Sequence, residues 1–331
     1  MKKILNDPQN YVDEMLDGLV AAHPEIYAKP AHRIIVRSGE KTKGKVGIVT
    51  GGGSGHLPVF TGYVGKGLLD GCAIGNVFAS PSADQMAETI RAVDAGAGVL
   101  CLYGNYGGDV MNFDMAAEMV SFEDDIRTAS HAVSDDVASA PRGEMEKRRG
   151  VAGMIYAFKI AGAAAERMAD LDEVARLARK ASDNVVSMGM AMTPCIIPQL
   201  GKPSSVIGDD EMEMGMGIHG EPGTWRGPIK PADEILDEMF DSLQADRPLG
   251  KGDRVSVLVN SLGATPHEEL YILYRRLAGR LSEIGVDVVM PLVGRYATSM
   301  EMTGASLSIL RLDEELEDLL TAPANCAFWR V

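Results

Sequence analysis

Positive charge is scarce in this sequence. Its 331 residues include 32 lysines and arginines against 47 aspartates and glutamates, for a formal net charge of −15. Nucleic acids and anionic membranes bind proteins through basic surfaces, so this composition argues against both as partners. The acidic surplus by itself indicates a solvated surface rather than a specific cationic partner.

Cysteine is equally scarce, with four residues far apart among apolar or small neighbours: Cys72, Cys101, Cys195 and Cys326. This spacing excludes a disulfide framework and a zinc cluster, and it indicates buried thiols in a reducing compartment. Residues 1–8 lack the apolar stretch of a signal peptide, and no apolar run has membrane-spanning length. We therefore expect a cytoplasmic protein.

Short apolar runs alternate with longer amphipathic stretches, a pattern typical of α/β proteins. The length suits two domains. We predict two α/β domains, residues 1–188 and 189–331, each a mixed sheet flanked by helices, with the proline- and glycine-rich segment 190–230 at their junction. The ligand site is expected in the crevice at the carboxyl ends of the strands, near this junction.

The predicted strands are residues 34–37, 46–50, 98–103, 255–260, 286–292 and 306–311. The predicted helices are residues 9–22, 82–95, 110–121, 149–168, 171–186, 231–243 and 266–283. Segment 134–149, polar and then charged, is predicted to be a solvated loop that leads into a helix. The acidic residues 209–213 are attributed to solvated surface, and no metal is assigned to them.

Two histidines stand in glycine-rich frames. His219 lies within residues 214–223, and His56 ends the run 51–56, which follows a predicted strand. Glycine lets another molecule approach the backbone closely, so we interpret both imidazoles as presented to a ligand. A neutral imidazole at His219 could add to an electrophilic carbon. The alternatives are an ordinary acid–base histidine at 219 and a tight turn with a satisfied side chain at 56.

Nucleotide motifs fail in this sequence. A G-x-G-x-x-G pattern that starts at Gly51 needs glycine where His56 stands, and Gly65-Lys66-Gly67 lacks both the Ser or Thr and the upstream glycine of a P-loop. A nicotinamide-dependent dehydrogenase is therefore disfavoured. A third glycine-rich segment, residues 104–109, ends in Asp109, which could take a proton from a ligand hydroxyl or could simply cap a helix.

Taken together, these motifs resemble the dihydroxyacetone kinase K subunit family nearly from end to end. The resemblance is carried by residues 51–56, Asn105-Tyr106, Gly108-Asp109, Met111-Asn112-Phe113 shifted by one place, and residues 211–213, 217–223, 260–266 and 298–304. It implies a homodimer in which His219 binds the carbonyl carbon of a short ketose as a covalent hemiaminal. It further implies that His56 and Asp109 act as acid and base on the terminal hydroxyls, and that the Gly53 backbone hydrogen-bonds the substrate. Further expected substrate contacts are Ser54, Gly55, Gly104, Asn105 and Gly108.

The resemblance also implies that this chain binds no cofactor or metal itself. In the family a separate L-type subunit or a fused domain carries ATP or ADP with magnesium, and in some systems a phosphocarrier of the phosphotransferase system recharges that nucleotide. Because this sequence ends at residue 331 without a donor motif, we expect it to need such a partner.

Two positions depart from the family pattern. Leu57 replaces a usual glutamate, and Gly104 stands where the family often has lysine. Loss of that lysine could open space beside Asp109, which leads to the hypothesis that a tetrulose such as D- or L-erythrulose is an acceptor as well as, or instead of, dihydroxyacetone. Alternatively, Tyr103 or Asn105 replaces the lost contact and the triose stays preferred. A ketose-sensing regulatory module without turnover is the second functional alternative.

Overall fold

The computed structural model describes residues 2–331, which form two six-stranded sheets, a two-stranded ribbon and eight α-helices. The strands are β1 (Tyr27–Ala31), β2 (Ile34–Arg37), β3 (Gly47–Ser54), β4 (Gly71–Val77), β5 (Val99–Gly104), β6 (Thr128–Val133), β7 (Val185–Ala191), β8 (Ile196–Ile197), β9 (Lys202–Pro203), β10 (Glu211–Met214), β11 (Trp225–Pro228), β12 (Arg254–Ser261), β13 (Asp287–Gly294) and β14 (Gly304–Leu312). The helices are α1 (Tyr11–Ala22), α2 (Ala83–Val93), α3 (Gly107–Asp124), α4 (Met154–Glu166), α5 (Leu171–Asn184), α6 (Ala232–Asp246), α7 (His267–Glu283) and α8 (Glu314–Leu320).

The first sheet has the strand order β1-β2-β4-β3-β5-β6, and β4, β3, β5 and β6 run parallel. Alternate residues of β3 point to opposite faces, so Ile48 packs with α1, α4 and α5 while Val49 packs with α2 and α3. The strand is buried along its whole length, as expected when helices cover both faces of a parallel sheet.

The second sheet has the order β11-β10-β7-β14-β12-β13. Helices α6 and α7 cover one face. The other face turns toward α4, where the Ser256 hydroxyl donates to the Tyr156 hydroxyl at 3.0 Å. Because every residue from Met154 to Ala165 is buried and one apolar cluster includes both Leu100 and Leu258, helix α4 lies in a core shared by the two sheets.

The predicted fold class, two mixed sheets flanked by helices, is confirmed. All six predicted strands and all seven predicted helices occur, the strand at 34–37 with the predicted ends and the others with at least one end shifted. The helix predicted to residue 186 ends at Asn184, because Val185 and Val186 already pair in β7. The predicted boundary between residues 188 and 189 falls inside this strand, and the division into two domains stays a prediction.

Three sequence predictions are wrong. Residues 51–54 do not follow a strand but form its second half. Segment 134–149 is not a solvated loop throughout, since Asp135, Asp136 and Arg148 are buried. Within the acidic run, Glu213 is also buried, because it lies in β10 and pairs with Arg226 at 2.6 Å. In the last two cases charged side chains are buried together with partners outside the local segment.

Several elements escaped prediction: β1, β4, β6 to β11 and α8. The β4 sequence contains two glycines, which usually weaken a strand interior. Strand pairing supplies the stability that its local propensity lacks. Within residues 2–331 no helix is both long and apolar enough to cross a membrane.

Candidate active site

The candidate site begins where two neighbouring strands separate. The β3–β5 ladder ends at the Val49–Cys101 pair. From β3 the chain continues to β4 on one side, and from β5 it continues through α3 to β6 on the other. Adjacent parallel strands whose connections leave in opposite directions form a crevice at their carboxyl ends, where ligands of α/β proteins bind. The segment 51–56 and the segment 104–109 meet at this crevice.

Glycines in the second half of β3 allow close packing on both sides of the strand. A Cβ on Gly52 would lie 2.8 Å from Cδ2 of Phe60, and one on Gly53 would lie 2.6 Å from the backbone nitrogen of Ala79. Both distances are shorter than van der Waals contact, so any side chain would displace these neighbours. The glycine run therefore brings bare backbone to the crevice.

His56 follows β3 and is 1% exposed. Its Nδ1 lies 2.7 Å from the Thr298 carbonyl oxygen, so the ring donates through Nδ1 and Nε2 carries the lone pair. The ring stacks on Phe78 with centroids 4.9 Å apart. Burial, together with the charge of protonated His219, lowers the pKa of His56 to about 3. His56 is thus a neutral acceptor at physiological pH.

Asp109 lies in the first turn of α3 and is 5% exposed. The helix-cap alternative is wrong, because Tyr106 occupies the N-cap position. Burial raises the pKa of Asp109 to about 6, while a hydrogen bond from Ser80 and the charge of His219 oppose the increase. A carboxyl group that titrates near neutrality is suited to accept a proton from a hydroxyl.

His219 reaches the crevice from the second sheet, on the loop that joins β10 to β11. Gly215 and Gly220 adopt φ values of +78° and +87°, which few other residues tolerate, so the loop can turn tightly on both sides of the histidine. The His219 ring centroid lies 4.8 Å from that of His56 and 5.2 Å from that of Phe78. The two glycine-framed histidines of the sequence therefore face each other.

Glu221 hydrogen-bonds both the backbone and the ring of His219. One carboxylate oxygen accepts from the His219 backbone N–H at 2.9 Å, and the other lies 2.8 Å from Nδ1. Burial opposes ionisation of Glu221, but the hydrogen bond and charge of His219, with the charge of Arg149, lower its pKa to about 2. Since an ionised carboxylate only accepts hydrogen bonds, Nδ1 is the donor to Glu221, and in the uncharged form of the ring the lone pair is on Nε2.

Tyr106 and Ser80 were not singled out as site residues by sequence reasoning. The Tyr106 ring centroid lies 4.8 Å from that of His219, and Ser80 hydrogen-bonds Asp109. Tyr106 stands between Asn105 and Gly107 at the start of a helix, where an aromatic residue is more often structural. No local signal in the sequence distinguishes a ring that faces a ligand site there from one in the core.

The other predicted contacts are placed as follows. Gly53 and Gly55 pack against Phe78, whose ring lies next to those of His56 and His219, Ser54 is the last residue of β3, and Gly108 packs next to Ser80. Asn105 directs its side-chain amide away, toward the carbonyl oxygens of residues 146 and 148, at 2.8 and 2.7 Å. A Cβ on Gly104 would lie 2.9 Å from Sδ of Met154, so the backbone at this position is closely packed.

Several buried polar atoms at this site have no hydrogen-bond partner in the protein. Among the described residues, three side chains next to His219 bury a polar atom without a hydrogen-bond partner in the protein, namely His56 Nε2, Tyr106 OH and Asp109 Oδ1, and Ser54 Oγ at the end of β3 is a fourth such atom. A buried polar atom without a partner costs roughly 1–3 kcal/mol, so a concentration of such atoms indicates a binding site for hydroxyl groups. In the part of the chain that the structure describes, no group of three or more histidine, cysteine or acidic side chains is placed to hold a metal ion.

The fold and the site define a two-sheet α/β protein in which a histidine from one sheet closes a polar crevice at the strand ends of the other. The chain belongs to the Dak1 domain family, whose domain matches residues 17–328. It is 45% identical over 333 residues to the dihydroxyacetone-binding subunit DhaK of the PTS-dependent dihydroxyacetone kinase 2 of Listeria innocua, and covers 100% of both chains. It is 43% identical to the L-erythrulose 1-kinase of Mycolicibacterium smegmatis, over 100% of this chain but only 58% of that protein.

Solved structures agree with this assignment. The native dihydroxyacetone kinase of C. freundii superimposes with a TM-score of 0.90 at 34% identity, over 99% of this chain and 60% of that one. A dihydroxyacetone kinase operon co-activator superimposes with a TM-score of 0.87 at 31% identity, over 94% of this chain and 96% of that one. A protein named as a kinase and a protein named as an operon co-activator therefore share the fold of this chain.

Proposed function

We propose that this chain is the ketose-binding subunit of a small-ketose kinase, which holds its substrate as a hemiaminal on His219 while a terminal hydroxyl is phosphorylated. The observation that carries the proposal is the pairing of Nδ1 of His219 with Glu221, which leaves Nε2 as the nucleophilic nitrogen beside unsatisfied polar atoms. The full-length similarity to a dihydroxyacetone-binding subunit supports it.

In the proposed covalent step, the Nε2 lone pair attacks the carbonyl carbon of the ketose. A nitrogen–carbon bond forms, the π electrons of the C=O bond move to oxygen, and that oxygen takes up a proton from water, while the ring keeps its Nδ1 proton and becomes positively charged. Glu221 accepts the hydrogen bond from Nδ1 and offsets the positive charge that develops on the ring. Glycerol has the hydroxyls but lacks the electrophilic carbon, so the chemistry selects ketoses.

Asp109 and His56 are proposed to act on the hydroxyls of the attached ketose. Asp109, with a pKa of about 6, takes the proton of the hydroxyl that attacks phosphorus. Neutral His56 accepts a hydrogen bond at Nε2, while the Gly53 backbone and the Ser54 hydroxyl are further contacts. Attachment at one carbon fixes the terminal hydroxyl for in-line transfer, so positioning supplies much of the rate.

The phosphoryl donor is proposed to come from a partner. ATP or ADP with magnesium is expected on an L-type subunit. A phosphocarrier of the phosphotransferase system is the candidate for recharging that nucleotide. This chain is expected to form a homodimer. The printed names of full-length relatives, "PTS-dependent" and "PEP-dependent" kinase subunits, support a separate partner. The division into domains 1–188 and 189–331 and a cytoplasmic location belong to the same proposal.

The substrate is proposed to have three or four carbons. The 43% identity to an erythrulose kinase supports a tetrulose as an alternative to dihydroxyacetone. The packing of Met154 against Gly104 argues against extra room at that position, and Tyr103 stacks on Phe113 with centroids 4.3 Å apart, so its ring is engaged elsewhere. Dihydroxyacetone is therefore the leading substrate.

Calorimetric titration of the purified chain tests the proposal directly. We expect dihydroxyacetone to bind and glycerol to give no heat. The dissociation constants of D- and L-erythrulose, compared with that of dihydroxyacetone, rank the three ketoses as acceptors. Equal binding of glycerol and dihydroxyacetone would exclude carbonyl capture. His267→Ala is the matched control for His219→Ala, because His267 begins α7, which packs on the second sheet, and has no part in the proposed site.

A ketose-sensing module is the second candidate, favoured by the structural similarity to an operon co-activator. Sensing needs the covalent attachment but not the proton transfer at Asp109. Phosphorylation of bound ketose by the complete phosphoryl-transfer system would exclude a purely sensing role. Binding without turnover in that complete system would favour it.

A further inference from the structure

Arg149 connects the loop that carries His219 to the segment that follows β6. Its guanidinium group lies 2.7 Å from the Asp136 carboxylate, donates to the Gly215 carbonyl oxygen at 3.1 Å, and places Nη1 3.9 Å from a Glu221 oxygen. Asp136 follows β6 of the first sheet, whereas Gly215 and Glu221 belong to the loop that carries His219. A single side chain thus joins the histidine loop to the segment that follows β6, where Asp136 bridges to Ser187 of β7.

The packing around Arg149 leaves it little freedom. Its side chain is 14% exposed, and Asp136 is 4% exposed. A Cβ on Gly217 would lie 2.5 Å from Nη1 of Arg149, so the glycine at this position lets the guanidinium group approach Glu221. The planar guanidinium group can direct donors to three acceptors at once, which the single ammonium group of lysine does less well.

We infer that Arg149 is a positioning residue for hemiaminal formation, which anchors the histidine loop to the segment that follows β6 and holds a positive charge beside the Glu221 carboxylate that pairs with Nδ1 of His219. The inference rests on the proposed function. Arg149 does not touch the ketose. It acts through Glu221, and through the Gly215 carbonyl it sets where Nε2 of His219 stands relative to His56.

Removal of Arg149 has two expected consequences. Glu221 loses its nearby positive charge, so the carboxylate becomes a weaker partner for the Nδ1 proton. The Gly215 carbonyl loses a donor, so the loop can shift relative to the crevice. Loss of a group that orients a reacting side chain commonly costs about 10–100-fold in binding or activity, by analogy with residues that support metal ligands.

The test is ¹³C NMR of the full chain with carbonyl-labelled dihydroxyacetone, which measures the equilibrium between free and protein-bound tetrahedral carbon. We expect Arg149→Met to weaken this equilibrium by about 10–100-fold. Because Arg149→Met leaves Asp136 without its partner, the double variant Asp136→Asn/Arg149→Met supplies a version without that buried charge and should show the same loss. Arg149→Lys should recover part of it.

The neighbouring Arg148 offers a matched control. It is 1% exposed and pairs with Asp246 at 2.5 and 3.1 Å, so Arg148→Met also breaks a buried pair, but one that does not contact the histidine loop. We expect this variant to lose thermal stability and to keep the wild-type equilibrium. Equal weakening in Arg148→Met and Arg149→Met would overturn the positioning role.

A second readout separates positioning from general structural damage. In ¹⁵N-histidine spectra, His219 of the wild type should show a protonated Nδ1 and a bare Nε2, and Arg149→Met should shift this pattern. If the folded Arg149 variants kept both the wild-type protonation pattern of His219 and the wild-type ¹³C equilibrium, the role of Arg149 would be overturned but the proposed function would stand. Absence of the tetrahedral carbon in the wild type would instead overturn the proposed function.

Discussion

The two histidines of this site have the same sequence frame and opposite surroundings. His56 is fixed at the end of a buried strand, 1% exposed, with a backbone carbonyl as its partner. His219 stands on a loop, its side chain 24% exposed, with a carboxylate as its partner. A carbonyl sets the tautomer of a ring but offsets little positive charge, whereas a carboxylate sets the tautomer and also offsets positive charge on the ring. In the proposed mechanism this difference separates His56, a neutral acceptor, from His219, a nucleophile that can tolerate positive charge.

This contrast extends to the regions that carry them. The first sheet supplies a rigid wall of His56, Asp109 and bare backbone, and the second supplies a loop with His219 and Glu221. The account assigns proton handling to the wall and covalent capture to the loop. Substitutions in the wall should therefore reduce turnover at constant capture, and substitutions in the loop should reduce capture.

The largest effect in the wall is expected at Asp109. Asp109→Asn should lower kcat by about 10²–10⁴-fold because the hydroxyl loses its base, while the tetrahedral carbon signal persists. In the wild type, kcat should fall as pH decreases through about 6, since protonated Asp109 cannot accept a proton. Steady-state assays of the complete phosphoryl-transfer system across pH measure both. Retention of the acidic limb in Asp109→Asn would assign it to another group.

His56 provides the next comparison. His56→Asn keeps a polar side chain but removes the Nε2 acceptor, and we expect kcat to fall by roughly 10²-fold with ketose capture retained. The same titration and assay report the two quantities separately. Equal loss of binding and turnover would show that His56 belongs functionally with His219, and the contrast between the two histidines would fail.

Glu221 tests the loop. Glu221→Gln can still accept from Nδ1 through its amide oxygen but carries no charge, so capture should weaken by roughly 10–100-fold while kcat of the captured fraction changes little. The ¹³C equilibrium measures capture. If the variant captured ketose as the wild type does, orientation alone would suffice and the charge of Glu221 would have no role.

The smallest effect is expected from two glycines on opposite sides of the site. Gly217→Ala places a methyl group 2.5 Å from Nη1 of Arg149, which should cost about 1 kcal/mol of stability and weaken capture a few-fold. Gly107→Ala meets no heavy atom within 4 Å among the described residues and should leave both unchanged. Thermal unfolding and the ¹³C equilibrium compare them, and a larger loss in Gly107→Ala would contradict the packing argument.

Sequence reasoning found the candidate site side chains more readily than the residues that hold them in place. His56, Asp109 and His219 stand in glycine-rich segments, a local signal that a pattern search can find. Arg149 lies in a charged stretch that was interpreted as solvated, because its partner at Gly215 is 66 residues away along the chain. Burial of a charge with a distant partner leaves no local periodicity, so only the fold reveals it.

The fold shows the same division. Amphipathic helices with clear ends were predicted well, and α2 begins with the capping box of Ser82 and Gln85. The glycine run of β3 was placed in a loop, since glycine favours turns locally. In the structure, contacts with Phe60 and Ala79 require small residues in a central strand. Tertiary packing therefore overrides local propensity at the position where the site is built.

Covalent capture by His219 is the central claim, and ¹³C NMR with carbonyl-labelled dihydroxyacetone tests it most directly. The account predicts a protein-bound tetrahedral carbon in the wild type that is absent from His219→Ala and present in His267→Ala. Absence of that carbon from the wild type, or its persistence in His219→Ala, would contradict the account.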